Sequence, residues 1–180
     1  MRRALCAWAT ALAAIGAGAP APRDTLEYEV KAAMLYNFAK FVEWPGEGRE
    51  PLVIGVLGKD PFGPVLDEVV RDKTVHGRPL VVRRFHQLAE LGACHILFIA
   101  RSESRLIPEV LEPLHKAGVL TVADIDQFAK SGGVIGFTMD NGRIRFEINL
   151  GAARRAGLRI SSRLLGLALV TGGAPAGEVN

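Results

Sequence analysis

Cysteine is nearly missing from this sequence: Cys6 and Cys94 are the only two among 180 residues. A disulfide-stapled scaffold is thereby excluded. Histidine is sparse too, and His76, His86, His95 and His115 offer no pair at the i, i+4 spacing of a zinc helix, so no metal site is expected. Cys94 and His95 are neighbours on an apolar run that reads as a strand. Adjacent strand residues point to opposite faces, so they cannot work as nucleophile and base. The phosphate-cradling G-x-x-x-x-G-K-[ST] loop and the G-x-S-x-G elbow are both missing. Ser161-Ser162 precedes an apolar segment and reads as a helix cap rather than a nucleophile. No acid, base and nucleophile assemble anywhere, so neither an enzyme nor a cofactor is expected.

What is present begins with an address. Met1-Arg2-Arg3, an apolar stretch from Ala4 to Ala17 and the small residues of "GAGAPAP" have the three parts of a secretory signal peptide. Residues 1–18 are read as this leader, with cleavage between 17 and 23, and the stretch is too short to span a bilayer. Cys6 leaves with it, so Cys94 has no internal disulfide partner. The net charge of +3 falls to +1 once Arg2 and Arg3 are removed, because no acid goes with them. No later run is long and apolar enough to cross a membrane, so the expected product is exported, with one domain over residues 24–171 and a flexible tail over 172–180.

From Leu26 to Trp44, Val30, Met34, Phe38 and Phe41 recur at helical spacing, and Ala32, Leu35, Ala39 and Val42 widen the apolar surface to most of the circumference. Glu29, Tyr36, Lys40 and Glu43 remain as a narrow polar stripe, and Pro45-Gly46 ends the helix. The chain then alternates. Apolar strands are read at 51–58, 78–85, 94–100 and 118–124, with helices at 61–70 and about 103–116, the second bent or delayed by Pro108. A short helix "IDQFAK", capped by Asp124 or Asp126, follows. The resulting class is α/β, a mostly parallel sheet with helices on both faces. Residues 134–148 are two alternating runs around Asn141-Gly142, the favoured pair for a type I′ hairpin. That turn faces Met139 with Ile144, Phe137 with Phe146 and Ile135 with Ile148 toward the core, and Thr138 with Arg145 and Gly136 with Glu147 away from it. Short helices at 150–156 and 161–170 close the domain.

Two places could carry function. "GKDPFG" (58–63) follows the first strand of the alternating region, where open parallel sheets bind ligands. Lys59 and Phe62 are its candidate ligand contacts, and a plain turn in which Asp60 caps the next helix is the simpler reading. The second place is Arg145, Glu147 and Asn149 on the last strand, with Arg154, Arg155, Arg159 and Arg163 as a basic rim behind it. A nucleic-acid partner is not expected for an exported protein of net charge near +1 lacking interleaved aromatics. The choice left is between a solvated face and a protein-binding surface.

"VKAAMLYNFAKFVEWP", "VLGKDPFG", "GRPLVVRRF", "CHILFIARSE", "GVLTVADIDQFAKSGGVIGF" and "IRFEINLGAARRAGLRISSRLL" follow one another in an order and spacing that resemble the YfiR family (YfiR/HmsC-like periplasmic proteins) from about Tyr28 to Val170. The resemblance implies a periplasmic regulator that forms a homodimer. It binds the periplasmic domain of a membrane-anchored diguanylate cyclase and represses it, which lowers cyclic di-GMP and restrains biofilm formation. An alternative is a ligand-sensing module acting on another membrane receptor or sensor kinase. The resemblance also implies a redox-active pair in many relatives, between a first-strand cysteine and the counterpart of Cys94. Here the first-strand place is Gly55, so that pairing is lost.

Overall fold

The computed structural model describes residues 22–171, apart from 46, 47 and 49. The expected leader and tail lie outside the described residues. An eight-stranded sheet is built from β2 (Leu52–Leu57), β3 (Thr74–Val75), β4 (Arg78–Phe85), β5 (Ile96–Ile99), β6 (Leu120–Ala123), β7 (Ile135–Asp140), β8 (Arg143–Asn149) and β10 (Leu169–Thr171). Its spatial order is β3-β4-β2-β5-β6-β7-β8-β10. The pairs from β4 to β7 are parallel, β8 turns back antiparallel to β7, and β10 runs parallel to β8. This is the expected α/β class. A separate two-stranded ribbon joins β1 (Val42–Glu43) to β9 (Arg159–Ile160).

Both faces of the sheet are covered because the central strands are apolar on both. Every residue of β2, β5 and β6 is buried. On one face, α1 (Pro22–Phe41) and α2 (Pro64–Val70) bring Leu35, Phe38 and Leu66 against Ile54, Val56, Phe98 and Val122. Phe38 meets Phe137 and Phe146 at ring separations of 5.8 and 5.1 Å, which fastens α1 to the hairpin. On the other face, α3 (Ile107–Leu114) and the 3-10 turn at Leu88–Glu90 cover Leu57, Leu97, Ile99 and Ala123.

The hairpin has the expected register, pair by pair. Asn141 and Gly142 both have positive φ, 49° and 74°, as a type I′ turn demands. Met139 nevertheless is 55 % exposed, because the hairpin tip projects past the helices that bury Phe137 and Phe146. Pro108 does delay its helix: residues 101–106 form 3-10 turns, and α3 begins at Ile107 with the proline in its first turn.

Other boundaries differ for local reasons. The first helix ends at Phe41 rather than Trp44, because Val42 and Glu43 are drawn into the ribbon with β9. Val30, expected inside, is 41 % exposed, while Lys31 is 1 % exposed. The second helix starts at Pro64 rather than Pro61, with Gly63 at the cap position. Asp60 does not cap it; one carboxylate oxygen accepts from Phe62 N at 2.8 Å and the other from Arg84 Nε at 2.6 Å. "IDQFAK" is a run of turns rather than a helix, since Asp124 is engaged elsewhere. The last helix, α5 (Ser162–Leu165), is one turn long, capped by Ser161 as expected, and Val170 lies in the strand β10. Between β8 and β9, α4 (Leu150–Arg155) fits the expected range.

Candidate functional site

The outward face of the hairpin carries Gly136 and Thr138 from β7 and Arg145 and Glu147 from β8. The turns at 125–131 pass alongside and close a groove of about 240 Å³, lined by Asp126, Gln127, Lys130, Gly136, Thr138 and Glu147. A side chain at Gly136 would crowd this space, since its Cβ would lie 3.3 Å from Ala129 N. The loop is held by Asn149, whose Nδ2 donates to Ala129 O at 2.7 Å while Oδ1 accepts from Ala152 N at 2.9 Å and caps α4. Asn149 is thus a brace between groove and helix, with its polar atoms already used. A capped helix over 125–130, as the sequence suggests, conceals Asp126, Gln127 and Lys130 as groove residues; the hairpin register places Gly136 and Thr138 on the outward face but does not reveal the groove.

Arginines divide into two sets. Arg84 binds Asp60 and Asp67, holding the Asp67 carboxyl below its ordinary range. Arg101 lies 3.3 Å from Asp124. Arg78 donates to Glu50 O at 2.5 Å. In contrast, Arg145, Arg154, Arg155 and Arg163 enter no salt bridge among the described residues, and all are exposed. Arg159, also in the rim, lies 3.7 Å from Glu43 across the ribbon.

Lys59 and Phe62 separate in the structure. Lys59 is exposed, whereas Phe62 is buried edge-on against Tyr28 and Phe98. β2 lies between β4 and β5, the point where the winding of the sheet reverses. Its C-terminal end is filled by the protein itself: Ser102 Oγ accepts from Lys59 N at 3.0 Å and donates to Glu103 at 2.8 Å.

At the opposite end of the strands, Trp44 Nε1 donates to His95 O at 3.0 Å. The His95 ring receives Val53 N–H at Nδ1, 3.1 Å away, and Arg78 Nη2 lies 2.8 Å from Nε2. Both neighbours are donors, so protonated imidazole can satisfy neither. Burial first, and the Arg78 charge second, hold His95 below its usual value. An unfolded chain takes up a proton near pH 6.5 that the folded site refuses. Stability is therefore full above that pH and falls as pH drops through and below it. Urea titrations from pH 7.5 to 5 should show this loss in the wild type and a flatter profile in His95→Gln.

Residues 28–169 match the family described as YfiR/HmsC-like. The chain belongs to that family. Among solved structures, it is similar to a conserved domain protein from Vibrio cholerae O1 biovar El Tor, with a TM-score of 0.55 at 13 % identity. The likeness covers 80 % of this chain and 60 % of the Vibrio chain, and at this identity it speaks for the fold. Comparison with curated proteins finds no match. No described helix of this YfiR/HmsC-like chain is long and apolar enough to cross a membrane.

The place where family resemblance implies a first-strand cysteine has a definite geometry here. A Cβ on Gly55 would stand 3.4 Å from Cys94 Cβ, close to the spacing of a disulfide, and 3.0 to 3.1 Å from Phe85 and Leu97. Burial pushes the Cys94 thiol up to about 11, so it is a poor nucleophile as it stands. Gly55→Cys should form an intramolecular bond with Cys94 under air, seen as loss of both thiols in a titration. Reducing that variant should lower its Tm, with at most about 4 kcal/mol at stake from loop closure.

Proposed function

We propose that this YfiR/HmsC-like protein is an exported regulator that acts by binding rather than catalysis. It docks as a homodimer on the periplasmic domain of a membrane-anchored diguanylate cyclase and keeps that enzyme inactive. Family membership supports the regulatory role, and the arginines left free of ion pairs around the hairpin and α4 support the docking surface: Arg145, Arg154, Arg155 and Arg163, with Glu147 beside the groove. The groove at Glu147 favours a second reading, a ligand-sensing module acting on another membrane receptor or kinase.

Deleting the gene and measuring intracellular cyclic di-GMP tests the proposal, together with capture of partners from solubilised membranes. A rise in the nucleotide and a cyclase among the captured proteins are expected. An unchanged nucleotide and capture of a different receptor would overturn the cyclase reading in favour of the second. In the double variant Arg154→Glu/Arg155→Glu, affinity for the captured partner should fall at least tenfold. Its stability should change by less than about 2 kcal/mol, because exposed substitutions cost about 0.5 kcal/mol or less each and reversing the two charges in the last turn of α4 adds on the order of 1 kcal/mol.

A further inference from the structure

A second cavity, of about 420 Å³, lies on the α3 face and has a different character from the groove at Glu147. Its walls are Leu88, Leu91, Pro113, Leu114 and Val119, with Cys94 among them. No charged side chain lines it. The volume is that of a small-ligand site, and an apolar lining of this kind rewards an apolar occupant. One charge stands close by. Arg83 lies opposite Gly55 in the β2–β4 register, on the face where a Gly55 side chain would meet Cys94. Arg83 is exposed and enters no ion pair among the described residues.

We propose that this cavity is a binding site for an amphiphile with an anionic head, a fatty-acid-like molecule whose chain fills the leucine-lined space and whose carboxylate meets Arg83. The charge sets the choice of ligand: a cationic amphiphile is repelled by Arg83, and a neutral one gains nothing from it. The inference does not depend on the cyclase reading, since a regulator of any membrane partner could carry such a site.

The test uses the protein in its exported form, purified from the periplasm, in which Cys94 is the single thiol once Cys6 has left with the leader, and dodecanoate as the probe. Calorimetry should show saturable binding below about 1 mM, and bound dodecanoate should slow the reaction of Cys94 with a thiol reagent. Octanoate should bind at least tenfold more weakly, because each buried methylene is worth roughly a factor of four. Ala117→Phe, which narrows the cavity from an exposed position, should abolish the protection of Cys94. Arg83→Gln should weaken dodecanoate by roughly threefold, the scale of an exposed ion pair, and leave dodecanol unchanged. Absence of binding, or undiminished protection in Ala117→Phe, would overturn the site. Equal affinity of dodecanoate and dodecanol, or an Arg83→Gln variant identical to its parent, would overturn the anionic head.

Discussion

Asp124→Ala should lower stability by about 3 kcal/mol or more, a fall in Tm on the order of 10 °C. Asp124 follows β6 and is buried; its Oδ2 accepts from Tyr28 Oη at 2.7 Å and Lys31 Nζ at 2.8 Å, and Arg101, whose Nε donates to the Asp124 backbone carbonyl at 3.1 Å, stands 3.3 Å from the same Oδ2. The Tyr28 hydroxyl is pushed well above its ordinary value, by burial first and by the Asp124 carboxylate second. Lys31 also contacts Glu27, one turn earlier on α1, but that carboxylate is partly open to solvent. Removing Asp124 leaves a lysine whose side chain is 1 % exposed facing a hole. The charge then lacks its buried partner, which is the costly way to break such a pair. Replacing both residues by apolar ones, Lys31→Met with Asp124→Leu, should recover most of the loss, because a buried pair sets a large desolvation cost against its attraction. Denaturant melts of the two single variants and the double variant measure the coupling. If Asp124→Ala melts within about 2 °C of the wild type, Lys31 has found another partner and the latch between α1 and the sheet is not what holds the helix.

That latch also shows what the sequence made legible and what it concealed. β4 was readable to the residue because "RPLVVRRF" is bounded by turns, and the hairpin because Asn-Gly fixes its turn and a one-residue slip would bury Arg145 and Glu147. Lys31 was not readable. Helical spacing places a residue on a face without saying which neighbour waits there, and the carboxylate that makes its burial tolerable lies 93 positions away. Asp124 resembled a helix cap for the same reason: an aspartate before a polar-apolar run has a local use, and only the fold reveals the distant one. The end of the chain failed differently. "RLLGLALV" suits one helix, but Gly166 lets the chain leave after one turn, and β8 offers an open edge that Leu169–Thr171 take up. The candidate site was legible where register alone decides, at Arg145 and Glu147. It was illegible where a loop must be placed, at Asp126, Gln127 and Lys130.

Gly133→Ala should cost about 3 kcal/mol, at the upper end for overpacking, and should also weaken binding of any partner that uses the groove. Gly133 N donates to Phe128 O at 3.1 Å, closing the turns that begin at Ile125, and the Phe128 ring folds back over the Gly133 backbone. A methyl group at 133 would overlap the ring, which is itself 1 % exposed and packed in the α3-side core. It cannot swing into solvent without leaving the buried cluster it shares with Ala123 and Leu111. The turns must therefore lift, and Gln127 and Lys130, which stand on either side of Phe128, move with them. Thermal melts should show a fall of roughly 6 to 12 °C. Phe128→Leu in the Gly133→Ala background should restore part of it by shortening the obstructing side chain. The same rescue should return partner affinity if the loop forms one wall of the docking surface, whereas recovery of stability without recovery of affinity would place the partner on Arg154, Arg155 and Arg163 alone.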